Sequence, residues 1–118
     1  MVTPNQGDVC WVRFGRATDS GPSGKRPAVV IQNDLLNRSN IRTTVVVLLT
    51  SNLKLSAVPG NVSLSKGAAN IPKSSVVVVS QMATVNKGRL LGKIGTLNRQ
   101  AAAEIVKGCR DVISPPEG

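Results

Sequence analysis

The sequence predicts a mainly antiparallel β-barrel or curled sheet capped by one C-terminal helix, and three observations carry that reading. Short β-branched runs separated by Gly, Pro, Asn and Ser recur along the first 96 residues, which is the pattern of strands and turns. Helical spacing is clear only near the end, where Ala102, Ile105, Val106, Cys109, Val112 and Ile113 share one face. A chain of 118 residues with 41% hydrophobic content supports one core and is too short for two ordinary domains. Residues 1–113 are therefore taken as a single domain and residues 114–118 as a disordered tail.

Each element follows from local chemistry. Residues 8–14 alternate well enough for a first strand, with Val9, Trp11 and Arg13 on one face and Cys10, Val12 and Phe14 on the other. Residues 15–25 form a long polar loop rich in turn residues, a length more often functional than idle in so small a domain. A second strand spans 27–32, and a turn or single helical turn fills 33–40. Residues 43–49 are a continuous β-branched run that reads as a central strand, closed by Thr50, Ser51 and Asn52. A shorter strand at 60–64 follows Pro59, and 67–70 is a loop. The valines of 75–79 lead through Ser80 and Gln81 to 82–85. A short helix is expected at 86–91 and a last strand at 92–96. Asn98 is a good N-cap for the final helix, which Pro115 and Pro116 end.

Composition narrows the function. The net charge is +9, and between Asp34 and Glu104 there is no acidic residue, while Arg38, Arg42, Lys54, Lys66, Lys73, Lys87, Arg89, Lys93 and Arg99 lie in that interval. Such a field attracts a polyanion, either nucleic acid or an acidic protein, over a neutral metabolite. With one Trp, one Phe and no Tyr, a sheet that stacks bases on two or three aromatics is excluded on supply.

Cys10 and Cys109 stand alone, with no third cysteine and no histidine, so neither a zinc site nor another metal cofactor is expected. No stretch reaches the length of a membrane span and the N-terminus has no apolar segment of the signal-peptide kind. A cytoplasmic protein with both thiols reduced is the expectation. A Cys10–Cys109 disulfide would require the first strand and the last helix to pack together.

The most informative segment is residues 24–34. Pro27 fixes its own φ and pushes Arg26 into extended geometry, while Ala28 to Ile31 form an apolar strand that anchors the position. A cation held at a strand entrance suits an anionic ligand.

These segments together resemble a known family. Gly7-Asp8-Val9 with Trp11, the run from Lys25 to Asp34, Leu49-Thr50-Ser51-Asn52, Pro59-Gly60-Asn61-Val62, Ser75-Val76 through Gln81 and the segment 87–91 are similar in order and spacing to the MazF/PemK toxins. The resemblance implies a homodimeric SH3-like barrel that cuts single-stranded RNA without a metal and is restrained by an acidic antitoxin. It implies Arg26 and Thr50 as the catalytic pair, with Lys25, Asn33, Ser51, Asn52, Ser75 and Gln81 as RNA contacts. Trp11 is expected in the core or at the dimer interface. This chain departs from the family in its first loop, where Asp19, Ser20 and Ser23 stand instead of Glu or Gln, and at Ser74, where relatives often carry an acid.

The chemistry is feasible without histidine, because RNA supplies its own nucleophile in the 2′-hydroxyl. The protein must then hold the phosphate and stabilise its added charge, which an arginine fork does well. A CcdB-like toxin that grips DNA gyrase is the first alternative, opposed here by the absence of any aromatic after Phe14. A basic barrel that binds nucleic acid without cutting it is the second.

Overall fold

The computed structural model describes residues 3–15 and 24–116. Six strands form one antiparallel sheet: β1 (Asp8–Arg13), β2 (Lys25–Val30), β3 (Thr43–Thr50), β4 (Val62–Leu64), β5 (Ser75–Asn86) and β6 (Leu90–Thr96). Their spatial order is β4-β5-β3-β2-β1-β6. A four-residue helix α1 (Asp34–Asn37) links β2 to β3, and α2 (Arg99–Ile113) closes the chain.

The sheet is buried on both faces, which explains why its inner strands read as unbroken valine runs. One face carries Val9, Val29, Val47, Leu49, Val77 and Val79, and α2 covers it with Ile105 and Cys109. The other carries Cys10, Val12, Ala28, Val30, Val46 and Val85. The alternation predicted for β1 thus sorts Val9 from Cys10 and Val12, and the two cysteines lie in different clusters, both as free thiols.

Curvature comes from β5. Its pairing with β3 jumps from Val47–Met82 to Leu49–Val77, so Leu48 lies opposite residues 78–81. Extra residues on one strand bend it. The first part of β5 then also pairs with β4, through Val62–Val77 and Leu64–Ser75. In the bend, Val79 N–H donates to Asn61 Oδ1 at 3.1 Å, which satisfies a backbone donor near the break in the ladder. The residues expected as two strand segments around Ser80 and Gln81 are therefore one bent strand.

The far edge is closed by a turn rather than a strand. Residues Ala68–Asn70 pack on β6, with Ala69 and Asn70 at positive φ and the Asn70 amide donating to the Ile94 carbonyl at 3.4 Å. A side chain at Gly95 would fall on the Ala69 carbonyl, so glycine is required by the closeness of two backbones.

Caps set the ends of the helices. Asn98 Oδ1 accepts from Ala101 N–H at 2.8 Å and begins α2, while Asn33 Oδ1 accepts from Leu35 N–H at 2.8 Å and begins α1. Strand β2 starts at Lys25 rather than at Pro27. Proline is tolerated there because that stretch pairs only with β1, through Trp11–Pro27, and the β2–β3 ladder begins at Ala28. The helix expected at 86–91 is one 3-10 turn, Lys87–Arg89, while Asn86 ends β5 and Leu90 and Leu91 begin β6. A second 3-10 turn, Leu53–Ala57, follows β3. Most of the polar loop expected at 15–25 lies outside the described residues.

Three of the cations expected in an unneutralised field are engaged, Arg89 by donating to the Gly15 carbonyl at 2.7 Å and Lys87 and Lys93 within the protein. Lys87 is buried and donates to the Asn37 carbonyl at 2.8 Å, within a polar cluster in which Asn37 also bonds Gln32 and Thr44. Lys93 pairs at 3.4 Å with the buried Asp8, which Thr96 and the Asn5 N–H also bond. Lys87 is thereby withdrawn from solvent, whereas Lys93 stays half-exposed.

The thiols have a pH consequence. Burial, reinforced by Asp8 and opposed by Lys93, pushes Cys10 up to about 11 from 9.0, and burial raises Cys109. Native protein should leave both thiols unreacted with a disulfide reagent at mildly alkaline pH and release both on denaturation. Because the folded value is the higher one for Cys10, its contribution is complete below about 9 and is lost as pH rises toward about 11. Denaturant melts across that range should show the decline, and a flat profile would contradict it.

Candidate active site

The β2–β3 ladder stops at Ala28–Leu48, and beyond it the two strands diverge around a cleft of about 410 Å³. Extending the register by two residues sets Arg26 opposite Thr50. Both are half-buried and both line the cleft, with Lys25, Pro27, Leu49 and Ser51. The N-terminal end of β5 and the turn before it add Ile71, Pro72, Lys73 and Ser75, while Trp11 and Ile94 complete the wall.

Local bonds orient the polar groups. Thr50 Oγ1 accepts from Asn52 N–H at 3.1 Å, which leaves the hydroxyl proton free to donate into the cleft. Asn52 Oδ1 in turn accepts from Lys54 N–H at 3.2 Å, capping the 3-10 turn. Ser75 Oγ donates to the Lys73 carbonyl at 3.0 Å. The Lys25 ammonium lies 5.0 Å from the centre of the Trp11 ring, close enough for a cation–π contact.

The electrostatics are one-sided. Three cations, Lys25, Arg26 and Lys73, border the cleft, and none of the described lining residues is acidic. A phosphodiester fits such a lining: a guanidinium fork for its oxygens, hydroxyls to donate, and apolar walls for the attached groups. No group of three or more His, Cys, Asp or Glu suited to a metal occurs among the described residues.

Of the residues singled out from sequence, the cleft brings together Arg26, Thr50, Lys25, Ser51 and Ser75. It does not bring in the other three. Asn33 sits past the opposite end of β2, where its side chain caps α1. Asn52 stands just behind Thr50 and acts on it through the backbone. Gln81 is exposed in the bend of β5, away from the lining.

Two more residues stand in the wall, Trp11, expected in the core or at the dimer interface, and Lys73, expected only as one of the cations of the acid-free interval. Trp11 is in neither core cluster but in the cleft. Lys73 carried the same signal as Arg26, a cation beside a proline at the mouth of a valine strand.

A curled, helix-capped sheet with a cationic, hydroxyl-bearing cleft at its strand ends is the arrangement of a small domain suited to an anion. Residues 5–113 match the family of PemK-like, MazF-like toxins of type II toxin-antitoxin systems, and the chain belongs to that family. Among its relatives, endoribonuclease MazF6 of Mycobacterium tuberculosis is 34% identical over 109 residues, 92% of this chain and 96% of that protein. Endoribonuclease EndoA of Bacillus subtilis is 31% identical over 93 residues, 79% of each. A solved mycobacterial endoribonuclease in complex with its cognate antitoxin shares the fold with a TM-score of 0.74 at 19% identity over the full length of both chains. A MazE–MazF complex from Deinococcus radiodurans gives 0.73 at 19% identity over 96% of this chain and 97% of that one.

Proposed function

We propose that the chain is the toxin of a toxin-antitoxin pair and cuts single-stranded RNA by metal-independent transesterification in this cleft. The observation that carries the reading is the meeting of Arg26 and Thr50, from two strands, in a cleft whose described residues supply cations and no carboxylate. Its relatives being named endoribonucleases supports the same reading.

The steps use the substrate's own nucleophile. The 2′-oxygen attacks the adjacent phosphorus and loses its proton, the bond from phosphorus to the 5′-oxygen breaks, and that oxygen gains a proton. The products are a 2′,3′-cyclic phosphate and a 5′-hydroxyl. Arg26 stabilises the charge that builds on the phosphate oxygens in between, an effect of about 10²- to 10³-fold for one well-aimed donor. Thr50, held by Asn52 N–H, donates to the same phosphate. Lys25 and Lys73 hold neighbouring phosphates, and Ser51 and Ser75 meet the ribose or its phosphate. Residues 1–113 act as one domain in this reaction.

An acidic, largely disordered antitoxin segment suits the same cleft, because it replaces the phosphates and folds as it binds. A homodimer and a cytoplasmic location complete the proposal. Exposed Leu35 and Ile113 supply apolar surface for a partner to cover, which supports the dimer, and no helix among the described residues is long and apolar enough to cross a membrane.

The test is purified protein on a long RNA in EDTA. Discrete cuts ending in 2′,3′-cyclic phosphate are expected, from a particle with twice the 12.3 kDa chain mass by light scattering. Intact RNA after incubation with folded dimer would refute the activity.

A further inference from the structure

Trp11 is the only tryptophan of the chain, and its two flanks differ. On β1 it pairs with Pro27 of β2 and with Gly92 of β6. The β2 side is furnished, since Pro27 lines the cleft and the Lys25 ammonium lies over the ring. The β6 side is open, because a Cβ added at Gly92 would meet nothing within 4 Å. Ile94, two residues further along β6, lines the same cleft. The other aromatic, Phe14, packs with the opposite face of the sheet.

An indole steadied by a cation on one flank, with empty space at its cross-strand glycine on the other, is a platform for a planar group. Beside Arg26 and Lys73, which call for phosphate, the planar group that fits is a nucleobase. We propose that Trp11 stacks one base of the RNA strand in the cleft, on the flank that Gly92 leaves open, and so helps fix which phosphate reaches Arg26. This rests on the RNA reading above but adds a base subsite to it. Because stacking accepts every base, the subsite contributes register and affinity more than sequence choice.

A single tryptophan lets the contact be read directly. Short 2′-fluoro RNA oligonucleotides, tiled across the RNA used for cleavage, lack the attacking hydroxyl and report binding alone. Titrating them should quench the fluorescence to saturation. Trp11→Leu, which keeps apolar bulk without a stacking face, should weaken binding roughly ten- to hundredfold, while Trp11→Phe should stay close to wild type. Gly92→Val leaves the tryptophan in place but fills its flank, and should also weaken binding. A merely structural role would instead lower the melting temperature of the Leu variant without this split.

Binding with unchanged fluorescence, or equal affinity for the Trp11→Leu variant, would overturn the subsite. Quenching without cleavage of native RNA would support the subsite and remove the ribonuclease activity. Cleavage without quenching would do the reverse, and RNA neither bound nor cut would sink both.

Discussion

Arg26→Ala is expected to slow RNA cleavage by at least about 10²-fold, with kcat falling more than KM rises, while the melting temperature moves little. The asymmetry follows from where the side chain sits. Arg26 lies outside both core clusters, at a stretch of β2 that pairs with β1 alone, so its removal costs little packing. Among the described lining residues it is the one group that can span two phosphate oxygens, since Lys25 and Lys73 are point charges and Thr50 and Ser51 offer one proton each. Arg26→Lys should recover only part of the rate, because the charge remains and the fork does not. Single-turnover cleavage of a native RNA decides the matter. An Ala variant that cuts as fast as wild type would remove Arg26 from the chemistry.

Arg26 was legible in the sequence because its geometry is set locally, by Pro27 after it and the strand beyond. Thr50 was legible as a strand end and entered the site through resemblance, but its pairing with Arg26 depends on the β2–β3 register, which only the folded sheet shows. Asn33 and Asn52 show the opposite case. Both are polar residues beside strand ends, which suits a ligand as well as a cap, and in the structure both side chains accept from backbone N–H groups two residues on. Trp11, expected in the core or at a dimer interface, lies outside both core clusters and lines the cleft for a related reason. An isolated aromatic in a small domain is normally covered, and what leaves it open is a glycine more than eighty residues away in sequence.

The same split runs through the fold. The strands and α2 follow from β-branched runs and helical spacing, which are local. The bend of β5 does not, because it depends on four residues opposing Leu48 across the β3 ladder. The cation field was half visible for the same reason: sequence counts charges, but only packing shows that Lys87 is buried against Asn37 and that Lys93 answers Asp8.

Gly95 carries the second large effect. Gly95→Ala should cost about 3 kcal/mol, since the new Cβ would collide with the Ala69 backbone, and neither β6 nor the turn can yield without breaking its own bonds. For a domain of this size that corresponds to a fall in melting temperature of roughly 10 °C or more. Gly92→Ala, three residues away on the same strand, is the matched control. Its Cβ meets nothing within 4 Å, so its melting temperature should stay near wild type. Thermal melts of the two variants side by side make the comparison, and equal values would show that the Ala68–Asn70 turn does not hold the sheet edge. The consequence reaches the cleft, because Ile71 follows that turn and Ile94 precedes Gly95, and both are walls of the site. Loosening the closure should therefore also weaken RNA binding by letting Ile94 move away from Trp11, and this loss should come with the fall in melting temperature that Arg26→Ala, which leaves Gly95 and the turn intact, would not produce.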